Sequence, residues 1–146
     1  MPIKLDLGDW GKLLDEVRKA EGDVKKVGYQ CTKNCAEIMK EELKTQMLKA
    51  DTKGNWGDLY SDLSIQSLVE NHGEFNTSIG WIKGPYNPED LSSGYKVVFI
   101  NYGTPNRTQH GQIKARGFIQ KAKRKAKKPI HEEQEKAFKE ILKGLK

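Results

Sequence analysis

The chain has 146 residues, of which 36% are hydrophobic and 32% are charged. This size and composition are typical of one globular domain with a modest apolar core, so we expect a single domain over residues 1–146. No stretch approaches the roughly 18 apolar residues that a transmembrane helix needs, and the first residues lack the apolar centre of a signal peptide. The composition therefore argues against a membrane protein and favours one that stays in the cytosol.

The net charge of +6 is concentrated in one part of the chain. Residues 92–130 contain ten lysines and arginines and no aspartate or glutamate, which leaves 16 basic and 20 acidic residues elsewhere. The ten are Lys96, Arg107, Lys114, Arg116, Lys121, Lys123, Arg124, Lys125, Lys127 and Lys128. A positive segment beside a slightly acidic body predicts a negatively charged neighbour, either nucleic acid or an acidic protein surface.

Two helices are expected in the first third of the chain. A cap at Asp9 and apolar residues at helical spacing predict a helix over residues 9–20, which Gly22 is expected to break. A longer helix is predicted over residues 24–50, because apolar residues recur there every three or four positions. This apolar stripe consists of Val24, Val27, Cys31, Cys35, Ile38, Met39 and Leu43. We expect the stripe to pack against a sheet.

The middle of the chain has the alternating pattern of strands. Residues 62–70 and 75–83 are predicted to form a hairpin, with Phe75, Thr77, Ile79 and Trp81 on one face and the turn between residues 71 and 74. Residues 95–102 are predicted to form a third strand, because aromatic and β-branched residues dominate there. Short connections favour antiparallel pairing. The predicted fold class is α+β, with a long N-terminal helix packed on a small antiparallel sheet of about three to four strands.

The C-terminal third is predicted to be a loop followed by a basic helix. Gly103 is expected to end the third strand in a conformation that favours glycine, and residues 104–114 are predicted to be an exposed loop. From about Arg116 the apolar residues fall at helical spacing. Pro129 is expected to kink or break this helix, because proline lacks an N–H donor and clashes with the preceding turn.

Several residues of this region occur together in one known family. They are Tyr95, Phe99, Tyr102, Gly103, Thr104, Arg116, Phe118, Ile119 and Ala122. In type and order they resemble the tail-completion, or head–tail joining, proteins of long-tailed bacteriophages and prophages. Asn101 stands where those proteins usually have an acidic residue, and Gly117 stands where they usually have proline. The order of elements, the length and the basic C-terminal helix are also similar, so the resemblance covers most of the chain.

The resemblance implies a structural protein of the virion without catalytic activity. Such a protein assembles in the host cytoplasm and is a ring subunit at the neck, the junction of head and tail. Its implied partners are copies of itself, the head-closure or connector proteins and the tail proteins, with non-specific DNA contact as a further possibility.

Residues that could carry catalysis or hold a metal are sparse. Cys31 and Cys35 could form half of a zinc site, but no second cysteine or histidine pair has suitable spacing, so we interpret them as thiols in the core. His72, His110 and His131 lie apart and are interpreted as surface residues. The sequence therefore predicts no enzyme, no cofactor and no metal.

The basic segment is the remaining candidate interface. Its proposed assembly residues are Arg107, Lys114, Arg116, Lys121, Lys123, Arg124, Lys125, Lys127 and Lys128. From 121 to 128 lysine outnumbers arginine and no aromatic residue is interleaved, which favours charge-driven, salt-sensitive association over base recognition. A solvated helical face is the plain alternative. Two functions stay open: a neck subunit, and a nucleic-acid-binding accessory domain that uses residues 114–128.

Overall fold

The computed structural model of the chain describes residues 10–50, 58–72, 74–81, 91–104 and 113–144. In chain order its elements are α1 (Trp10–Lys49), α2 (Asp58–Ser61), β1 (Ser64–Ile65), β2 (Val69–Asn71), β3 (Glu74–Asn76), β4 (Ile79–Gly80), α3 (Ser93–Tyr102) and α4 (Phe118–Gly144). The predicted α+β class is confirmed: a long N-terminal helix, a small set of antiparallel strands and a C-terminal helix. Most of the described residues are helical.

The first helix, α1, has 40 residues and is therefore about 60 Å long. It continues through Gly22, so the prediction of two helices separated by a break was wrong. Gly22 is exposed, and an added Cβ would meet nothing within 4 Å. A glycine inside a helix costs only about 1 kcal/mol relative to alanine. The remaining turns of so long a helix offset that cost.

The apolar stripe of α1 faces α4 more than it faces the strands. The Sγ atoms of Cys31 and Cys35 lie 3.9 and 4.0 Å from backbone oxygens of α4. The strands contact α1 beside this stripe: a Cβ added to Gly28 would lie 2.8 Å from the ring of Phe75. The strands therefore do pack on α1, as expected, but the expectation left out α4, which shares the same apolar surface and covers more of it.

The predicted hairpin is confirmed. β2 pairs with β3 and β1 pairs with β4, both antiparallel. Between the two ladders, residues 66–68 of one strand face residues 77 and 78 of the other, so one extra residue forms a bulge. His72, in the turn, has a φ of 50°, the left-handed conformation that tight hairpin turns use. The inner face carries the half-buried residues Phe75, Thr77, Ile79 and Trp81, as predicted.

The third predicted strand is a helix, α3, so that prediction was wrong. The backbone oxygen of Ser92 accepts hydrogen bonds from the N–H groups of Tyr95 and Lys96, which starts the first turn. The buried residues of α3 are Ser93, Val97, Ile100 and Asn101. This spacing is that of one helical face, not of alternate strand positions. A short run of β-branched and aromatic residues is compatible with either element, and the surrounding packing decides between them.

The last helix, α4, runs from Phe118 to Gly144 with Pro129 inside it, and no new helix starts at the proline. It lies antiparallel to α1. Phe118 packs in one cluster with Met47, near the end of α1, whereas Gly144 lines a hollow together with Ala20, near its start. The two helices therefore lie side by side for most of the length of α4, about 40 Å.

The buried core lies at one end of this helix pair. We call this end the base, residues 36–50, 58–65, 91–104 and 113–126, and the other end the arm, residues 20–35 and 130–144. The buried apolar residues are Ala36, Leu43, Met47, Leu59, Leu63, Val97, Ile100, Phe118, Ala122 and Ala126. All of them belong to the base, and no described side chain of the arm is fully buried.

Candidate interaction surface

The junction between α3 and α4 closes tightly around Gly103. This residue ends α3, where its N–H donates a 2.8 Å hydrogen bond to the backbone oxygen of Phe99. Its φ of 77° lies in the region that favours glycine. An added Cβ would lie 2.7 Å from the backbone oxygen of Ile113 and 2.9 Å from the nitrogen of Ala115. The predicted need for glycine is thus supported, although Gly103 ends a helix and not a strand.

Thr104 holds the two ends of the next segment together. Its N–H donates to the backbone oxygen of Ile113 at 2.9 Å, and the N–H of Ile113 donates to its Oγ1 at 2.8 Å. The intervening residues 105–112, which include Arg107 and most of the predicted exposed loop, lie outside the described residues.

Asn101 caps α4 from a distance in the sequence. Gly117 precedes the first helical residue and has no side chain to serve as a cap. The Oδ1 of buried Asn101 accepts a 2.9 Å hydrogen bond from the N–H of Ile119, and its Nδ2 donates to Oε1 of Gln120 at 3.0 Å. Its backbone oxygen accepts from the N–H of Gly117 at 3.0 Å. Asn101 therefore satisfies the N–H of Ile119 in the first turn of α4 and the N–H of Gly117 just before it, which would otherwise be unpaired.

Phe118 is the anchor of α4 in the base. Its side chain is fully buried, and its ring makes an edge-to-face contact with Trp81, with centroids 6.2 Å apart. The indole N–H of Trp81 donates to the backbone oxygen of Leu59 at 2.8 Å, which links the strands to α2. A fully buried phenylalanine at the first position of α4 therefore fixes where this helix starts.

The other residues of the family-like motif divide into inward and outward positions. Ala122 is buried, and Tyr95, Phe99 and Ile119 are half-buried. Tyr102, by contrast, is 62% exposed although it is aromatic. The motif residues thus lie along α3, at the junction and in the first two turns of α4, and Tyr102 leaves a large ring on the surface.

Arg116, predicted to belong to the assembly surface, also has a structural role. Its Nη1 donates a 3.0 Å hydrogen bond to the backbone oxygen of Ala50, just beyond the end of α1. A cation at a helix C-terminus satisfies an unpaired carbonyl and opposes the negative end of the helix dipole. Arg116 therefore ties the junction to α1, and its side chain remains exposed.

Six basic residues in the first half of α4 lie on its exposed side. They are Lys121, Lys123, Arg124, Lys125, Lys127 and Lys128. Lys114 is exposed as well. The positions between them that contact the core, Ala122 and Ala126, are small, which lets α4 approach α1 closely. The structure thus places six of the predicted interface residues on one continuous exposed surface.

A groove between α1 and α4 borders this surface and was not predicted from the sequence. It has a volume of about 750 Å³ and is lined by Met39, Lys123, Arg124, Lys127, Lys128, Ile130, His131 and Gln134. Its apolar residues come from both helices and its cations from α4 alone. Only the antiparallel pairing brings these two sets together, and no local pattern indicates that pairing.

The two cysteines lie against α4 and remain free thiols. Burial raises the pKa of Cys35 from its ordinary value of 9.0 to about 12, with the neighbouring Cys31 contributing. Such a thiol stays protonated and is a poor nucleophile and metal ligand at neutral pH. Across the described residues, no group of three or more His, Cys, Asp or Glu side chains is placed to hold a metal ion.

Comparison with known proteins identifies no relative: no family model, no curated protein and no solved structure matches the chain. In the part of the chain that the structure describes, no helix is both long and apolar enough to cross a membrane.

Proposed function

We propose that this chain is a structural subunit of the bacteriophage neck, which joins copies of itself in a ring at the head–tail junction without catalysis. The observation that carries this proposal is the junction around Gly103. Several of the residues on which the family resemblance depends lie at or beside this junction and have a defined structural role. Gly103 is sterically required, and Thr104 is hydrogen-bonded to Ile113 across the segment between them. Phe118 anchors the start of α4 in the core.

The basic face of α4 supplies the proposed docking surface. Six exposed cations extend from Lys121 to Lys128 beside the junction. Exposed charge pairs contribute only about 0–1 kcal/mol each, so these cations would orient and register a partner while apolar contacts hold it. We infer that the partner is an acidic surface of the next subunit or of a head or tail protein, and that contact with DNA is secondary.

A nucleic-acid-binding accessory domain is the second candidate. The same six cations favour it, because lysines on one face of a helix can neutralise several phosphates. The two candidates differ in their genomic neighbours, since genes for capsid, head-closure and tail-tube proteins should flank a neck protein. They also differ in the behaviour of the isolated protein.

The decisive experiment changes Lys123, Lys125 and Lys127 together to glutamate. These side chains are exposed, so the melting temperature should change little. In a phage lacking its own copy of the gene, the wild-type chain should restore joined particles in electron micrographs, and the triple variant should leave separate heads and tails.

The nucleic-acid candidate predicts a different set of results. The wild-type monomer should bind duplex DNA at micromolar concentration or below, and the affinity should fall steeply with salt. Salt-sensitive DNA binding by the wild type, combined with a failure of the wild-type chain to restore joined particles, would reject the neck proposal.

A further inference from the structure

The groove between α1 and α4 combines an apolar floor with a cationic rim. Met39 of α1 and Ile130 of α4, both half-buried, form the floor. The same two residues line an adjoining hollow of about 270 Å³ that reaches the inner face of the hairpin at Phe75 and Ile79. The apolar floor is therefore longer than the groove alone and runs from α4 across α1 to the strands.

The rim carries more positive charge than its surroundings neutralise. It consists of Lys123, Arg124, Lys127 and Lys128, and no carboxylate lines the groove among the described residues. Lys128 lies 4.0 Å from Glu132. Within the described ranges, however, no carboxylate lies within 4 Å of the charged groups of Lys123, Arg124 or Lys127. Three rim cations therefore have no ion-pair partner within the chain as described.

We propose that this groove binds an amphipathic helix of another virion protein, one with an apolar stripe and acidic residues on both sides of it. The stripe would cover Met39 and Ile130, and the acidic residues would pair with Lys123, Arg124 and Lys127. The α4 side of the groove spans residues 123–134, so the bound helix would have about three turns. This inference rests on the proposed function for the identity of the partner, and it adds the chemistry of the contact.

Two other occupants fit the groove less well. A nucleic acid would satisfy the cations but would leave the apolar floor uncovered. Among the described residues that line the groove there is no Phe, Tyr or Trp, and His131 is the one ring on which a base could stack. The surface of an anionic membrane is nearly flat, whereas Met39 and Ile130 lie at the bottom of a concave groove between two helices. A flat surface would contact the cationic rim and would not reach these two residues. Only a narrow element with both acidic and apolar side chains matches floor and rim together.

The test uses a labelled synthetic helical peptide of about 14 residues, with leucine at every third or fourth position and glutamate on the flanks. Two matched peptides remove one property each: leucine replaced by serine at the same charge, and glutamate replaced by lysine at the same apolar content. Fluorescence anisotropy with the full chain measures binding, and duplex DNA is the fourth probe. We expect binding of the acidic amphipathic peptide and of neither matched peptide.

Paired charge reversals in the protein locate the contact. Lys123→Glu with Lys127→Glu removes two groove cations, whereas Lys121→Glu with Lys125→Glu makes the same charge change outside the groove. The first pair should weaken peptide binding by about tenfold or more and the second by about threefold or less, with thermal melts to confirm that both fold. Met39→Gln makes the floor polar while keeping a side chain of similar size. It should also weaken peptide binding, because the proposed helix covers Met39 with its apolar stripe.

Each contrary result has a defined meaning. If the serine peptide bound as tightly as the leucine peptide, or if both pairs of lysine variants weakened peptide binding equally, the groove proposal would be overturned. Binding would then depend on the overall positive charge of α4. A wild-type chain that restores head–tail joining but does not bind the amphipathic peptide would overturn this inference. The proposed function would still stand. Tighter, salt-sensitive binding of duplex DNA, with no restoration of joined particles by the wild-type chain, would overturn both the inference and the proposed function.

Discussion

The base and the arm are built from the same two helices but are held together in different ways. In the base, α1 and α4 meet through fully buried residues such as Met47, Leu43 and Phe118. In the arm, they meet through half-buried residues such as Val27 and Cys31, while Phe138 is 61% and Leu142 45% exposed. One pair of helices therefore changes along its length from a closed core to a partly open contact.

This difference separates the parts that specify the fold from those that remain available to a partner. The base receives α2, α3 and the strands, so its contacts join segments that are distant in the chain. Among the described residues the arm receives the hairpin, through Gly28 with Phe75 and a 3.2 Å ion pair between Lys25 and Glu70. We therefore expect the base to dominate the free energy of unfolding and the arm to tolerate substitution.

The largest effect is expected for Gly103→Val, in the base. A β-branched side chain would meet backbone atoms at 2.7 and 2.9 Å and would force an unfavourable φ. Together these should destabilise the protein by roughly 3–6 kcal/mol, enough to prevent folding in many domains of this size. Gly80→Val is the matched control, because an added Cβ there meets nothing within 4 Å. Similar urea-unfolding midpoints for the two variants would contradict the tight junction.

A direct comparison of base and arm replaces one phenylalanine of α4 at each end. Phe118→Ala removes a fully buried ring and should cost about 3–5 kcal/mol. Phe138→Ala removes a ring that is 61% exposed and should change the stability by no more than about 0.5 kcal/mol. Chemical denaturation of both variants measures the difference. Equal losses would mean that the arm is packed as firmly as the base.

The cap at the junction should give an intermediate effect. Asn101→Ala removes the acceptor for the N–H of Ile119 and should cost about 1–3 kcal/mol. Asn101→Asp keeps an acceptor at the positive end of the α4 dipole and should cost less. The phage proteins that the sequence resembles usually have an acidic residue there, so the same pair of variants also tests the proposed resemblance. A greater loss for aspartate than for alanine would reject the capping role.

The smallest effect concerns the chemistry of the arm, where Cys35 lies against α4. Because its pKa is raised to about 12, the thiol is protonated in the folded and unfolded chains below about pH 9, and its contribution to stability is then constant. Above that pH the unfolded chain loses the proton first, so this contribution falls as the pH rises towards 12. Alkylation of Cys35 should therefore stay at least about tenfold slower than in urea up to pH 10.

Mass spectrometry can follow each thiol separately, because trypsin releases Cys31 and Cys35 in different peptides, residues 27–33 and 34–40. The urea-unfolded chain at the same pH is the control. Rapid labelling of Cys35 in the folded protein at pH 9 would show that it is not shielded by α4.

The features that were predicted correctly from the sequence are those that depend on only a few neighbouring residues. The hairpin turn near His72 and the glycine requirement at Gly103 both follow from local backbone chemistry. The nature of α3 did not, because its run of valine, phenylalanine and isoleucine suits a strand or a buried helix equally. Only packing of Val97 and Ile100 against Phe118 selects the helix. Local signals thus predicted turns better than they predicted the element beside them.

The candidate surface shows the same limit. The exposed cations of α4 were predicted from the charge pattern alone. The groove beside them was not, because Met39 and Ile130 belong to helices at opposite ends of the chain. The apolar stripe of α1 was assigned to the sheet for the same reason: periodicity indicates that a face is buried and does not say which element covers it.

Cryo-electron microscopy of particles assembled from the genome that encodes this chain tests the central claim most directly. The proposal predicts a ring of density at the head–tail junction into which the α1–α4 pair and the hairpin fit, with the basic face of α4 against an acidic neighbour. Purified, infectious particles that lack the chain, or that carry it only along packaged DNA, would contradict it.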